Sequence, residues 1–240
     1  MDEKMAELRE KLKNEKTHDF ESLRELTAVL RGEGGCPWDR EQTHESIRND
    51  LIEETYEVIE AIDNADPVLL REELGDVMFQ VLFHSRIEEE KGSFSVDDVI
   101  NDICAKMILR HPHVFGDITV DGSGEVLENW DKIKKLEKNR KTVSESMESV
   151  PKQLPALMRA QKIAKKAKKN GFNFGSATEQ NELMKELAAS LEGAEGELRQ
   201  SLINEIIFTA AIMSDMDAER GLSELTDRFI MNYKETENET

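Results

Sequence analysis

The sequence predicts an all-α fold, and three observations carry that reading. Proline is scarce, at 5 residues in 240, and Trp and Tyr occur twice each, while Glu, Lys, Leu and Ala dominate. Apolar residues recur at the three-to-four spacing of buried helix faces. Breaker residues fall between such segments, as at Asn64-Ala65-Asp66-Pro67 and Arg31-Gly32-Glu33-Gly34-Gly35.

Composition narrows the function classes. A formal net charge of -19 argues against non-specific nucleic-acid binding, because an acidic surface repels the phosphate backbone. An anionic substrate would then need a bound cation or a local basic patch. The longest apolar runs, such as Val77 to Phe83, are far shorter than the roughly 20 residues of a membrane span. Met1-Asp2-Glu3-Lys4 lacks the basic-then-apolar pattern of a signal peptide. Two cysteines, Cys36 and Cys104, form neither a disulfide framework nor a metal spacing. These features read as a soluble cytoplasmic protein with no nucleic-acid or membrane partner.

Residues Met1 to Lys16 are densely charged around a thin stripe of Met5, Leu8 and Leu12, which reads as a frayed helix or a partner-seeking tail. From Phe20, the positions Leu23, Leu26, Val29 and Leu30 mark a first core helix, ended by the glycine cluster at 32–35. In the Cys36-Pro37-Trp38-Asp39 loop, Trp38 is either a core plug or a flat face on which a base stacks. His44 reads as a capping or surface residue rather than a ligand.

Between Asp50 and Val81 two helices carry clustered acids. Leu51, Val58, Ile59 and Ile62 stripe the first, and Leu69, Leu70, Leu74, Val77, Met78, Val81 and Leu82 the second, so both sets are expected to pack. Asp66 as N-cap and Pro67 at the first helical position should open the second helix, antiparallel to the first. Glu54 and Glu57 lie about 60° apart on their helix, as do Glu73 and Asp76 on theirs. Facing across the hairpin, four carboxylates repel strongly unless a cation sits among them, and hard oxygen donors suit Mg²⁺, with Mn²⁺ as a substitute. A solvated acidic face is the competing reading. Such a face is normally answered by lysines at i+4, yet no Lys occurs between Asp50 and Val81, and Arg71 is the only Arg there.

Ser95-Val96-Asp97-Asp98 opens a further helix through Val99, Ile103 and Met107, ending at His111-Pro112-His113. Lys106 and Arg110 near its end are either dipole partners or, beside the carboxylates, holders of phosphate oxygens. After a loop at Asp117 to Gly124, a helix from Glu125 to Lys138 carries Trp130, Ile133 and Leu136, with Lys132, Lys134 and Lys135 beside them. Thr142 to Pro155 reads as a linker, and the basic run Lys162 to Lys169 as a solvated helix face.

The second half echoes the first. Phe79 and Phe208, Gly92 and Gly221, and Asp98 and Asp227 pair at one offset of 129 residues, as an internal duplication predicts. That offset turns Glu73 into Leu202, Asp76 into Glu205, Glu54 into Leu183 and Glu57 into Glu186; a three-residue shift would set Glu186 under Glu54 and Ala189 under Glu57. Either way the four-carboxylate set is broken.

Glu53-Glu54-Thr55-Tyr56-Glu57, then Glu73-Leu74-Gly75-Asp76, flanked by Gly35-Cys36-Pro37-Trp38-Asp39 with Gln42-Thr43 and by Arg110-His111-Pro112-His113-Val114-Phe115, closely resembles the MazG family of nucleoside triphosphate pyrophosphohydrolases. The resemblance continues through Leu154 to Lys162, which gives the tandem form of the family. It implies an all-α fold of tandem helical domains, with a four-helix-bundle core completed by homodimerisation. It also implies a nucleoside triphosphate diphosphatase, hydrolysing NTPs to NMP and pyrophosphate with Mg²⁺ as nucleotide-pool housekeeping. Carried onto matching positions, the metal ligands fall on Glu54, Glu57, Glu73 and Asp76, with Glu53 as the base or a neighbouring carboxylate. Substrate contacts are expected from Trp38, Lys106, Arg110, Trp130 and Lys134. The expected organisation is a charged extension at 1–19, a catalytic domain at 20–141, a linker at 142–155 and a degenerate, non-catalytic domain at 156–240. The alternative is a non-catalytic helical dimerisation or regulatory protein that binds metal or nucleotide without turnover.

Overall fold

The computed structural model describes residues 3–137, 142–213 and 216–238. Among these residues every regular element is a helix. The chain divides into two compact units, residues 1–130 and 131–240.

The first unit begins with α1 (Glu3–Asn14) and α2 (Phe20–Arg31). α1 is not a free tail: Lys11 donates to Glu25 at 2.6 Å and Arg9 to the Glu33 carbonyl at 2.9 Å, which docks it along α2. α2 starts at Asp19, whose carboxylate accepts the Ser22 amide, and it ends where the glycine cluster was expected to stop it. The chain then folds back so tightly that the Cys36 amide donates to the Leu30 carbonyl at 2.8 Å. Gly34 takes a φ of 70°, and a Cβ on Gly35 would stand 2.3 Å from the carbonyl oxygens of both Val29 and Leu30. Pro37 then opens a short helix, α3 (Pro37–Glu41), in place of the expected loop. Trp38 on this helix is 60% exposed, which rules out the core plug.

The acidic hairpin consists of α4 (Arg48–Asp63) and α5 (Pro67–Glu90). Its turn is built as the sequence predicts: Asp66 accepts from the Val68 and Leu69 amides, and Pro67 is the first helical residue. Ala65 adds a left-handed φ of 51°, which periodicity does not reveal. Further along, Ile47, Phe83 and Ile87 form a buried cluster with Phe79 against it. The expected packing of the apolar stripes is only partly met. Leu82 is buried, but Ile59 and Ile62 on α4 and Leu74, Met78 and Val81 on α5 are exposed. α2 packs on α5 and takes a different face of it from the one presenting Leu74, Met78 and Val81.

α6 (Val96–Arg110) carries a complete Ser95–Asp98 capping box, and α7 (Pro112–Phe115) and α8 (Ser123–Glu137) follow. No helix among the described residues is long and apolar enough to cross a membrane.

In the second unit, α9 (Val143–Glu148) and α10 (Ala156–Lys169) pack together, followed by α11 (Ala177–Ser190), α12 (Gly196–Met213) and α13 (Ala218–Asn238). The segment 142–155 is not an extended tether. A Thr142–Glu145 capping box opens α9, Val150 is buried, and Lys166 donates to Ser146 at 2.9 Å. Gln161 holds α10 to the far end of α12: its amide nitrogen donates to the carbonyls of Ala211 and Met216, and its oxygen accepts from the Ala218 amide. Of the basic run, Lys162 and Lys165 are exposed as expected, while Lys166 and Lys168 reach the Ser146 hydroxyl and the Ile212 carbonyl. α11 and α12 start at Ala177 and Gly196, where α4 and α5 start at Arg48 and Pro67, an offset of 129 residues for both helices.

Replacing Gly35 by Ala forces its methyl group onto two backbone carbonyls that cannot both retreat without fraying α2. The expected loss is about 1–3 kcal/mol of stability, the range for overpacked sites. Urea unfolding checks it, and Gly32→Ala, which meets one carbonyl at 2.8 Å and a flexible Met5 side chain, should cost less.

Candidate metal centre

The α4–α5 hairpin sets acidic side chains opposite one another between the Asp66 turn and the Phe83 cluster. Glu54 and Glu57 on α4 and Glu73 on α5 each place a carboxylate oxygen within 4.8 Å of the others. Glu73 is buried, and Glu54 and Glu57 are half-buried. Asp76 lies outside this triad. It is still near enough that its charge is the largest contributor after burial to the rise of the Glu54 carboxyl, which is pushed up to about 7. Burial likewise raises Glu73, followed by the charges of Glu57 and Asp76. Among the described residues no other group of three His, Cys, Asp or Glu side chains converges in this way. A cluster of oxygen donors whose charges oppose one another suits a hard divalent cation.

The remaining predicted residues are more dispersed. Glu53 is exposed on α4 and not part of the triad. Lys106 is exposed on α6, and Arg110 sits half-buried in its last turn. Trp130 meets His111 edge-on, with ring centroids 5.0 Å apart and planes at 85°. The Lys134 side chain lies outside the described residues.

Sequence reasoning missed two arrangements around the segment that carries Trp38. His44 is not a cap: its Nδ1 faces Nδ1 of His84 at 2.8 Å, and its Nε2 lies 2.6 Å from Glu88. Glu88 is held down to about 2 by hydrogen bonds from Lys91, His44 and Ser93, and burial followed by the His44 charge lowers His84. The i,i+4 spacing of His84 and Glu88 was the only available signal. Arg31, read as the end of a helix, is buried and bonded to Glu90 and to two main-chain carbonyls. No local pattern announces it.

A family model for the MazG nucleotide pyrophosphohydrolase domain matches residues 42–115, the span that holds all four carboxylates. A nucleoside triphosphate pyrophosphohydrolase/pyrophosphatase MazG of Thermotoga maritima is 40% identical over 227 residues, covering 91% of this chain and 85% of that protein. The chain belongs to the MazG family. A nucleoside triphosphate pyrophosphohydrolase of Escherichia coli K12 is 46% identical over 142 residues, 59% of this chain and 54% of that protein. An uncharacterized protein, YabN, of Bacillus subtilis is 51% identical over 148 residues, 62% of this chain and 30% of that protein. The match to this MazG chain therefore spans about half of the E. coli protein and under a third of YabN.

The raised Glu54 carboxyl of this MazG chain has a pH consequence with a definite sign. Folded and metal-free, it keeps its proton up to about pH 7, whereas an unfolded Glu releases it near pH 4.3. The folded state thus binds more protons between those values, and its contribution to stability falls as pH rises through that window. Cation binding should expel the proton. Calorimetry in two buffers of different ionisation enthalpy should show a clear release on adding Mg²⁺ at pH 6.5 and little at pH 8.5, and Glu54→Gln should reduce the difference. Equal release at both pH values would contradict the shift.

Proposed function

We propose that this chain is a nucleoside triphosphate pyrophosphohydrolase that binds Mg²⁺ through Glu54, Glu57, Glu73 and Asp76 and releases pyrophosphate. The observation that carries it is the convergence of Glu54, Glu57 and Glu73 within the span matched to the MazG domain. The donor set fits the cation, because carboxylates raised by burial and then by one another's charge gain most from a divalent charge among them. When bound, the cation neutralises triphosphate charge and lowers the pKa of a bound water. Mn²⁺ is the expected substitute.

The chain's own residues do the rest. Water attacks a phosphorus of the triphosphate, the bond to the pyrophosphate oxygen breaks, and Glu53, exposed beside the cluster, takes the water's proton. Trp38 offers an exposed face for base stacking, with Trp130 as a second aromatic contact. Lys106, Arg110 and Lys134 supply positive charge for phosphate oxygens. The setting is cytoplasmic nucleotide-pool housekeeping.

The apolar residues left exposed on the hairpin support a homodimer. Ile52, Tyr56 and Ile59 stripe α4, and Leu74, Met78 and Val81 stripe α5, each at i, i+4 and i+7. Two hairpins meeting through these stripes make a four-helix core. The equal helix offsets in the second unit support a tandem origin, and its burial pattern follows: Thr209, Ala211 and Ile212 are buried where Gln80, Leu82 and Phe83 are. We read residues 20–141 as the catalytic domain and 156–240 as its non-catalytic copy, because Leu202 offers no ligand where Glu73 does. The non-catalytic alternative for the whole chain is disfavoured by the convergence of Glu54, Glu57 and Glu73 and by the names of the relatives.

Pyrophosphate release from a panel of NTPs with Mg²⁺ tests this reading. Glu57→Ala or Asp76→Ala should lower turnover at least about 100-fold, the effect of losing several kcal/mol of charge stabilisation, with helicity retained. Glu205→Ala should leave turnover unchanged. Undiminished release in both first-half variants would overturn the ligand assignment.

A further inference from the structure

The segment from Cys36 to Ile47 carries Trp38 and is pinned at two places to the C-terminal half of α5. One pin is the His44–Glu88 contact described above. The other is Arg31, the last residue of α2, whose side chain is only 5% exposed. Its Nε and Nη2 donate to the two carboxylate oxygens of Glu90 at 3.1 and 2.8 Å, a bidentate pair. Its Nη1 donates to the carbonyl of Asp39 at 2.6 Å and that of Gln42 at 3.1 Å, the two residues that close α3. The guanidinium lies over the ring of Phe83, 5.0 Å from its centroid. Burial raises the Glu90 carboxyl, but the hydrogen bonds from Arg31 and Arg86 outweigh it, so Glu90 stays charged and the pair intact.

The two Nη1 bonds, both partly buried, are directed at the main chain of one short helix and its cap, and the indole on that helix is exposed. A stacking face contributes most when its orientation is set before the base arrives, since no ordering cost is then subtracted from binding. Phe83, under the guanidinium, lies two turns along α5 from Asp76, about 10 Å by helix rise, a span that a nucleoside triphosphate bridges. We infer that Arg31 is a positioning residue of the nucleotide site, fixing α3 on α5 so that Trp38 is presented to the base. The inference rests on the pyrophosphohydrolase reading above for the identity of the ligand, while the link between Arg31 and Trp38 stands on the hydrogen bonds alone. Lysine cannot replace it, because one ammonium cannot bond a carboxylate bidentately and two carbonyls in the plane of a fork.

Arg31→Lys in the full-length protein is the test, with Glu90→Gln as a second variant that keeps Arg31 but weakens its anchor. Two readouts are needed. Acrylamide quenching and anisotropy of Trp38 are measured without nucleotide in a Trp130→Phe background, where it is the only tryptophan. Steady-state kinetics are measured with Trp130 in place. Arg31→Lys should increase Trp38 mobility and raise KM about tenfold or more, the scale of a lost base stack, while kcat changes much less. Glu90→Gln should shift both in the same direction by less, and it decides the matter if Arg31→Lys does not fold. Unchanged Trp38 mobility in the folded variants would overturn the inference, as would a fall in kcat with KM unaltered, which marks a merely structural role. If the wild-type protein releases no pyrophosphate, the functional reading fails, and the Trp38 readout still judges Arg31.

Discussion

Glu54, Glu57 and Glu73 bring like charges together across the α4–α5 hairpin, and the first unit holds that hairpin on both sides of them. On one side the turn is closed by the Asp66 cap, the left-handed Ala65 and Pro67. On the other the two helices are joined through the Ile47–Phe83–Ile87 cluster. The carboxylates sit between these fixed points, where burial, followed by the charges of Asp76 and Glu57, raises Glu54 to about 7. Local instability of this kind, maintained by surrounding packing, is what a binding site for a divalent ion requires.

The second unit offers a contrast within the same molecule. α12 buries Thr209, Ala211 and Ile212 at the positions where α5 buries Gln80, Leu82 and Phe83, so the packing face is retained. Leu202 stands where Glu73 does, and no acidic group converges among the described residues of that unit. Packing and acidic charge are thus separable: a helix of this kind folds on its apolar face, and the carboxylates are an addition that stability alone would not select.

Much of this was legible in the sequence because it is local. The Asp66-Pro67 helix start, the Ser95–Asp98 capping box and the stop after Arg31 depend on residues within one turn of each other, and each occurs where read. The acidic cluster was legible because helical spacing and a short turn leave few ways to arrange two helices. Long-range contacts were not. His44 meets His84 and Glu88 across some 40 residues, and Arg31 meets Glu90 across 59, pairings that no periodicity encodes. The apolar stripes of α4 and α5 were correctly located, but periodicity identifies an apolar face without saying what covers it. The short α9 was hidden by the prolines that follow it.

A cation held by the α4–α5 carboxylates is tested most simply by the thermal stability of Glu73→Gln with and without Mg²⁺ at pH 8. Glu73 is the buried member of the cluster, and the amide keeps its shape while removing one repelling charge. Metal-free Glu73→Gln should melt at a higher temperature than metal-free wild type, and Mg²⁺ should stabilise the wild type but barely the variant. A variant that is less stable without metal, and still raised by Mg²⁺ as much as the wild type, would contradict a cation held by this cluster.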